Sequence, residues 1–262
     1  MPFGREKNLI RAGFFAGATT VMRCPGPACT ARMAVVGGWL AALFRVTDIV
    51  GTARTIVKRG TTVRGFELQQ LTTAIRFTVY GAGPTSVTAT WSRVLTAADV
   101  NKWMLALGRF TPSTTPSGLQ LTINGVSGTG VATNAFTYVP PHAADDLYLG
   151  CLDAAFAQPA TGVYLAQLAL AANGAVNSIT SPLAHFQASQ RALRLEELPH
   201  TDLYVDFEKY GGGGVDLAVG AAQTMTNFCD DVRSARVENF GTVPVTSTVR
   251  AASSPTADWV TP

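Results

Sequence analysis

From about residue 60 onward, apolar and polar side chains alternate with a period of two in several separate segments. In Ala74–Tyr80, Ile75, Phe77 and Val79 alternate with Arg76, Thr78 and Tyr80. In Ser86–Ser92, Val87, Ala89 and Trp91 alternate with Thr88 and Thr90. Leu119, Leu121 and Ile123 alternate with Gln120, Thr122 and Asn124, and Leu203, Val205 and Phe207 with Asp202, Tyr204, Asp206 and Glu208. Side chains point to opposite faces of a strand in turn, so each segment predicts a strand with one face in a core and one face polar. Turn signals separate them: Gly81-Ala82-Gly83-Pro84, Asn124-Gly125, Pro140-Pro141, Asn173-Gly174 and the run Gly211 to Gly214. Many short strands with Gly/Pro punctuation predict a sandwich, barrel or jelly roll.

Two stretches carry a different spacing. Thr96 with Asp99 three residues later forms a capping-box-like start, and Val100, Trp103, Met104 and Leu107 follow at i, i+3, i+4, i+7, which predicts a helix from Thr96 to Leu107, ended by Gly108. Met33 to Phe44 places Trp39, Leu40, Leu43 and Phe44 at helical spacing and reads as a core element. At the start of the chain, Arg5, Lys7 and Arg11 precede the apolar Ala12 to Ala18, the outline of a secretion signal. The expectation is that this segment is retained and held by a neighbouring subunit.

Composition narrows the class. Only 14% of the 262 residues are charged and 47% are hydrophobic, which excludes a disordered chain. Four cysteines are too few for a disulfide scaffold. The net charge of +3 conceals an asymmetry: residues 1–131 hold 14 Lys/Arg and 4 Asp/Glu, hence +10, and residues 132–262 hold 6 and 13, hence −7. The cations are spread singly, although Lys58, Arg59 and Arg64 fall close together, and no aromatic interleaving marks a nucleic-acid stripe. Opposite-signed halves suit copies that pack head to tail.

Candidate chemistry is thin. Cys24 and Cys29 bracket Pro25-Gly26-Pro27-Ala28, a turn that leaves open a small disulfide, half of a zinc site or two thiols, with two thiols as the default. Cys151, Cys229 and the three histidines are too scattered to complete a metal site. Gly125-Val126-Ser127-Gly128 lacks the closing glycine of a nucleophile elbow and reads as a hairpin connection. Asp206 and Glu208 share a strand face, where solvated carboxylates are the plainer reading and a glycosidase or calcium pair the sharper one. No catalytic residue, cofactor site or metal site is predicted, and no enzymatic activity.

The strand Ser86–Ser92, the helix Thr96–Leu107, the strand Leu119–Ile123, and the late strand Thr201–Glu208 with its Gly-rich loop resemble the jelly-roll coat proteins of tailless, membrane-containing icosahedral bacteriophages of the tectivirus and corticovirus type. The resemblance implies an all-β fold with one or two short helices, a double jelly roll, with a single jelly roll and N-terminal arm as competitor. It divides the chain into a basic arm with first strands (1–60), a first jelly-roll portion (61–140) and a second (141–262). It implies a capsid subunit of the virion that forms trimers within an icosahedral shell beside other virion proteins. Residues 1–64 hold ten Lys/Arg against two acids, so Arg5, Lys7, Arg11, Arg23 and Arg32 are the expected inward contacts with membrane lipid, genome or a neighbour. The alternatives are a host-binding spike, fibre or tail component and a β-sandwich carbohydrate-active enzyme.

Overall fold

The computed structural model describes residues 9–15, 21–26, 37–49, 51–83, 85–111, 118–132, 136–155, 157–171, 203–206, 224–226, 236–239 and 245–249. Among them are β1 (Leu9–Phe15), β2 (Met22–Cys24), β3 (Gly38–Val46), β4 (Ala53–Thr61), β5 (Arg64–Leu71), β6 (Ala74–Tyr80), β7 (Ser86–Thr90) and β8 (Trp103–Phe110). Then follow β9 (Leu119–Ile123), β10 (Val126–Ala132), β11 (Leu147–Leu149), β12 (Val163–Ala171), β13 (Leu203–Asp206), β14 (Thr224–Thr226), β15 (Arg236–Asn239) and β16 (Val245–Val249). The pairing is antiparallel, in the order β14-β15-β2-β11-β4-β5-β6-β7-β10-β9-β8-β3-β12-β1-β16, with β13 also beside β12.

That path folds back on itself at β10 and makes a jelly-roll-like sandwich. The first half of β10 pairs with β9 and the second half with β7, so one strand belongs to both sheets. Gly128 sits at the change of partner, where a Cβ would lie 2.1 Å from the Thr90 carbonyl oxygen. Only glycine lets the two backbones approach so closely at a corner. We call the sheet from β14 to β7 sheet I and the sheet from β9 to β16 sheet II. Two rolls side by side would need four sheets; the described strands make two, and β2, β11, β4 and β5, neighbours in sheet I, come from all three of the segments 1–60, 61–140 and 141–262.

The core lies between the sheets. Phe66, Leu68, Phe77, Val79, Val87 and Ala89 of sheet I face Leu40, Phe44, Met104, Ala106, Leu121 and Ile123 of sheet II. Interdigitation is tight at Gly108, which pairs with Leu40 and Leu121: a Cβ there would meet the Phe77 ring at 2.6–2.8 Å. The missing side chain makes room for an aromatic ring of the opposite sheet. A second apolar cluster, with Trp39, Ala41, Leu43, Trp103, Leu105 and Leu107, lies on the other face of sheet II and is also buried.

That second cluster explains the largest departure from the sequence reading. The Thr96–Leu107 segment is not a helix. The capping box forms, with Thr96 N donating to Asp99 Oδ2 at 2.7 Å, but it closes a single 3-10 turn over Ala97–Asp99. Val100 then turns extended (φ −58, ψ 136), Asn101 takes φ 63, and β8 begins at Trp103. Trp103, Leu105 and Leu107 face one side and Met104, Ala106 and Phe110 the other, both buried, so the alternation that marks a half-exposed strand is absent. The same holds for β3, where Trp39 and Leu43 lie on one face and Leu40 and Phe44 on the other.

The strands expected from period-two alternation are present as β6, β7, β9 and β13. Asn124 (φ 49) and Gly125 (φ 91) join β9 to β10 in the hairpin turn that needs two left-handed residues. Of the basic residues expected in an inward arm, Arg11 and Arg23 lie in β1 and β2, within the sandwich. Arg5, Lys7 and Arg32 lie outside the described residues, as do Cys29, Glu208 and the Gly211 to Gly214 run.

Candidate functional site

The face of sheet I turned away from the core is polar, and register aligns its side chains in rows. One row crosses six strands: Arg23 (β2) is opposite Tyr148 (β11), Tyr148 opposite Lys58 (β4), Lys58 opposite Glu67 (β5), Glu67 opposite Thr78 (β6) and Thr78 opposite Thr88 (β7). A second row runs Thr55, Gln69, Arg76, Thr90, and a third brings Tyr80 beside Ser86. Each of these residues is one step out of phase with a core residue such as Val57, Leu68, Phe77 or Ala89, so packing of the apolar face fixes the polar face as well.

A buried hydrogen-bonded cluster anchors the middle of the face. Glu67, 4% exposed, accepts from the Thr55 hydroxyl at Oε1 (2.7 Å) and from the Tyr80 hydroxyl at Oε2 (2.6 Å). The ammonium of Lys58, 2% exposed, lies 3.6 Å from Glu67 Oε2, donates to the Thr61 carbonyl at 3.2 Å and sits 3.6 Å from the centre of the Tyr80 ring. Burial lowers the Lys58 amine to about 8, with Glu67 pulling the other way, and the Tyr80 hydroxyl is driven well above the usual phenol range by burial and by Glu67. Gln158, from the loop after β11, accepts from Gln69 Nε2, while its own carbonyl accepts from Thr55 N at 2.9 Å. A neutral or charged donor buried without an acceptor would be costly, and here each is supplied.

The margins of the face are pinned by ion pairs. Arg64 grips Asp145 with two bonds, 2.7 and 2.8 Å, and that hydrogen bonding holds the Asp145 carboxyl below the usual carboxylate range. Asp146 receives Gly26 N at 2.8 Å, the Tyr148 hydroxyl at 3.1 Å and Arg23 at 3.5 Å; burial, then Asp146, pushes the Tyr148 phenol up to about 12. Between these margins, Gln69, Arg76, Tyr80, Ser86 and Thr88 are half-buried and Thr90 is exposed. Thr78 and Thr88 share a hydroxyl–hydroxyl bond of 3.0 Å. What the face offers a ligand is therefore hydroxyls, an amide, a phenol ring edge and one guanidinium on a stiff sheet.

Among the described residues, the other candidates for chemistry do not converge. The buried Cys151 thiol is pushed up to about 12, chiefly by burial, the opposite of an activated nucleophile. Asp206, on β13, pairs in register with Gln167 of β12. Among the described residues no three His, Cys, Asp or Glu side chains are grouped to hold a metal. The polar face itself was half-visible in the sequence, as the Arg76, Thr78, Tyr80 and Thr88, Thr90 alternations; the contributions of Lys58, Glu67, Tyr148 and Gln158 required the register.

No family model matches the chain, and no curated protein matches it. Among solved structures, the sandwich is similar to a "putative carbohydrate binding protein" from Bacteroides ovatus, with a TM-score of 0.56 at 11% identity over 94% of this chain and 61% of that one. It is also matched to the heptameric SAP-like pentraxin of Limulus polyphemus (TM-score 0.47, 7% identity, 68% of this chain, 82% of that one). A third match is the binding domain of botulinum neurotoxin DC in complex with SialylT (TM-score 0.41, 10% identity, 60% and 37%). At 11% identity, the Bacteroides likeness is one of fold, and this chain spans less than two thirds of that protein's length.

Proposed function

We propose that this chain is a binding module, not an enzyme, and that it recognises a saccharide on the polar face of sheet I. The observation that carries the reading is the patch of Gln69, Tyr80, Ser86, Thr88 and Thr90, half-buried to exposed, set in register around a buried network that fixes its geometry. A polyhydroxylated ligand requires many directional donors and acceptors on a surface that does not reorganise, and a sheet face with satisfied interior bonds supplies them. The fold shared with the Bacteroides protein supports the same reading. Such a module fits the host-binding alternative better than the coat-subunit expectation, since recognition is assigned to one sheet face of a single chain.

The test is a glycan array probed with the wild-type chain and with Thr88→Trp, which sets a bulky ring in the centre of the face without touching the core. Binding by the wild type that is lost in Thr88→Trp, with thermal stability unchanged, supports the reading. Absence of binding to any saccharide, together with closed shells in light scattering, would replace it with the coat-subunit reading.

A further inference from the structure

Among the described residues, the charges of the polar face balance, with one exception. Lys58 is paired with Glu67, Arg23 with Asp146 and Arg64 with Asp145. Elsewhere, Arg54 reaches Asp48 at 2.6 Å, Arg93 reaches Asp99 at 2.8 Å, Arg109 reaches Gln120, and Arg45 lies over the rings of Tyr164 and Trp103 at 4.2 and 5.4 Å. Arg76, in the centre of β6 between Gln69 and Thr90, reaches no acceptor and no ring among the described residues, and its Nε is buried without a hydrogen-bond partner. A guanidinium is always charged and presents a planar fork of donors; leaving a buried donor empty costs free energy that an incoming anion would recover.

Glu67 does not neutralise it. Both Glu67 oxygens are engaged, Oε1 by Thr55 and Oε2 by Tyr80 and Lys58. Besides Glu67, the neighbours of Arg76 on the face are uncharged hydrogen-bonding groups: Gln69 and Thr90 in its own row, Thr78 and Thr88 in the next, and Tyr80 four residues along β6. Resting on the saccharide reading above, we infer that the ligand is an acidic saccharide, whose carboxylate or sulfate is received by the Arg76 guanidinium while its hydroxyls meet the surrounding amide and hydroxyl side chains. A planar carboxylate matches the guanidinium fork in two parallel bonds, and a sulfate ester presents equivalent oxygens.

The experiment uses an array of matched pairs: saccharides with free uronate against the same chains methyl-esterified, sialylated chains against their desialylated forms, and sulfated chains against unsulfated ones. The wild type is expected to favour the anionic member of at least one pair by about tenfold or more, the usual scale for a hydrogen bond to a charged group. Which pair responds separates carboxylate from sulfate. Arg76→Gln is expected to abolish that preference, so that the anionic and neutral members of the pair bind alike, and Arg76→Lys, which keeps charge but loses the fork, to fall between. Because Arg76 has no hydrogen bond or ion pair among the described residues, neither substitution should lower the melting temperature. Equal binding to both members of every pair, or an anionic preference that survives Arg76→Gln, overturns the inference and leaves the saccharide reading intact. Failure to bind any saccharide overturns both.

Discussion

The ammonium of Lys58 lies 3.6 Å from the centre of the Tyr80 ring, and the hydroxyl of that ring donates to Glu67 Oε2 at 2.6 Å. One tyrosine from β6 thus covers the cation of β4 and grips its counter-ion on β5. The arrangement fixes the ring that borders the polar face, so the recognition proposed there would involve little rotamer freezing on the protein side.

Removing the anion should be the most damaging single change in this cluster. Glu67→Ala leaves Lys58 buried without a counter-charge and strips Thr55 and Tyr80 of their acceptor, at a cost of about 3–5 kcal/mol. Lys58→Met with Glu67→Leu, which removes both charges, should recover most of that loss. Urea denaturation of the two variants beside the wild type checks the order; a Glu67→Ala protein as stable as the wild type would show that the pair does not hold the strands.

The lowered Lys58 amine gives a pH dependence with a definite sign. Its folded value of about 8 lies below the ordinary 10.5, so between those values the unfolded chain binds the proton more tightly. Stability attributable to Lys58 therefore rises with pH from 8 toward 10.5 and is flat below 8, where both states are protonated. Tyr80 and Cys151, both pushed up, act in the opposite sense at the alkaline end, because the folded state holds their protons longer. The difference between the wild type and Lys58→Met isolates the lysine: it should shift in favour of the wild type by up to about 1.4 kcal/mol per pH unit within the window. A difference independent of pH would show that Lys58 keeps its ordinary affinity for the proton.

Between the sheets, Gly108 and Phe77 should behave as one unit. Gly108→Ala drives a methyl group into the ring and should cost about 1–3 kcal/mol. Phe77→Leu in the same chain should relieve part of that cost, giving a coupling energy of the opposite sign in a double-mutant cycle. Additive effects would mean that the two sheets do not interlock at this point.

How much of this was legible beforehand depends on exposure. β6, β7 and β9 announced themselves because one face of each is polar, and Asn124-Gly125 announced its turn. β3 and β8 did not, because sheet II is buried on both faces there and a run such as Trp103-Met104-Leu105-Ala106-Leu107 satisfies a helical template as readily as a strand. In β4, Lys58 and Arg59, two of the three cations that fall close together in the sequence, are both buried. Their burial depends on Glu67 and Tyr80 for Lys58, partners that only strand register brings alongside. The site was hidden for the same reason: its residues come from β2, β4, β5, β6, β7, β11 and the loop bearing Gln158, and no single stretch of chain contains it.

The central claim is that the polar face of sheet I is where a saccharide binds. Backbone amide chemical-shift mapping during titration with the tightest binder from the matched-pair array tests it most directly. The account predicts shifts confined to β5, β6 and β7, centred on Gln69, Arg76, Tyr80, Thr88 and Thr90. Shifts centred on sheet II or on the loops at the ends of the sandwich, with these residues unmoved, would contradict it.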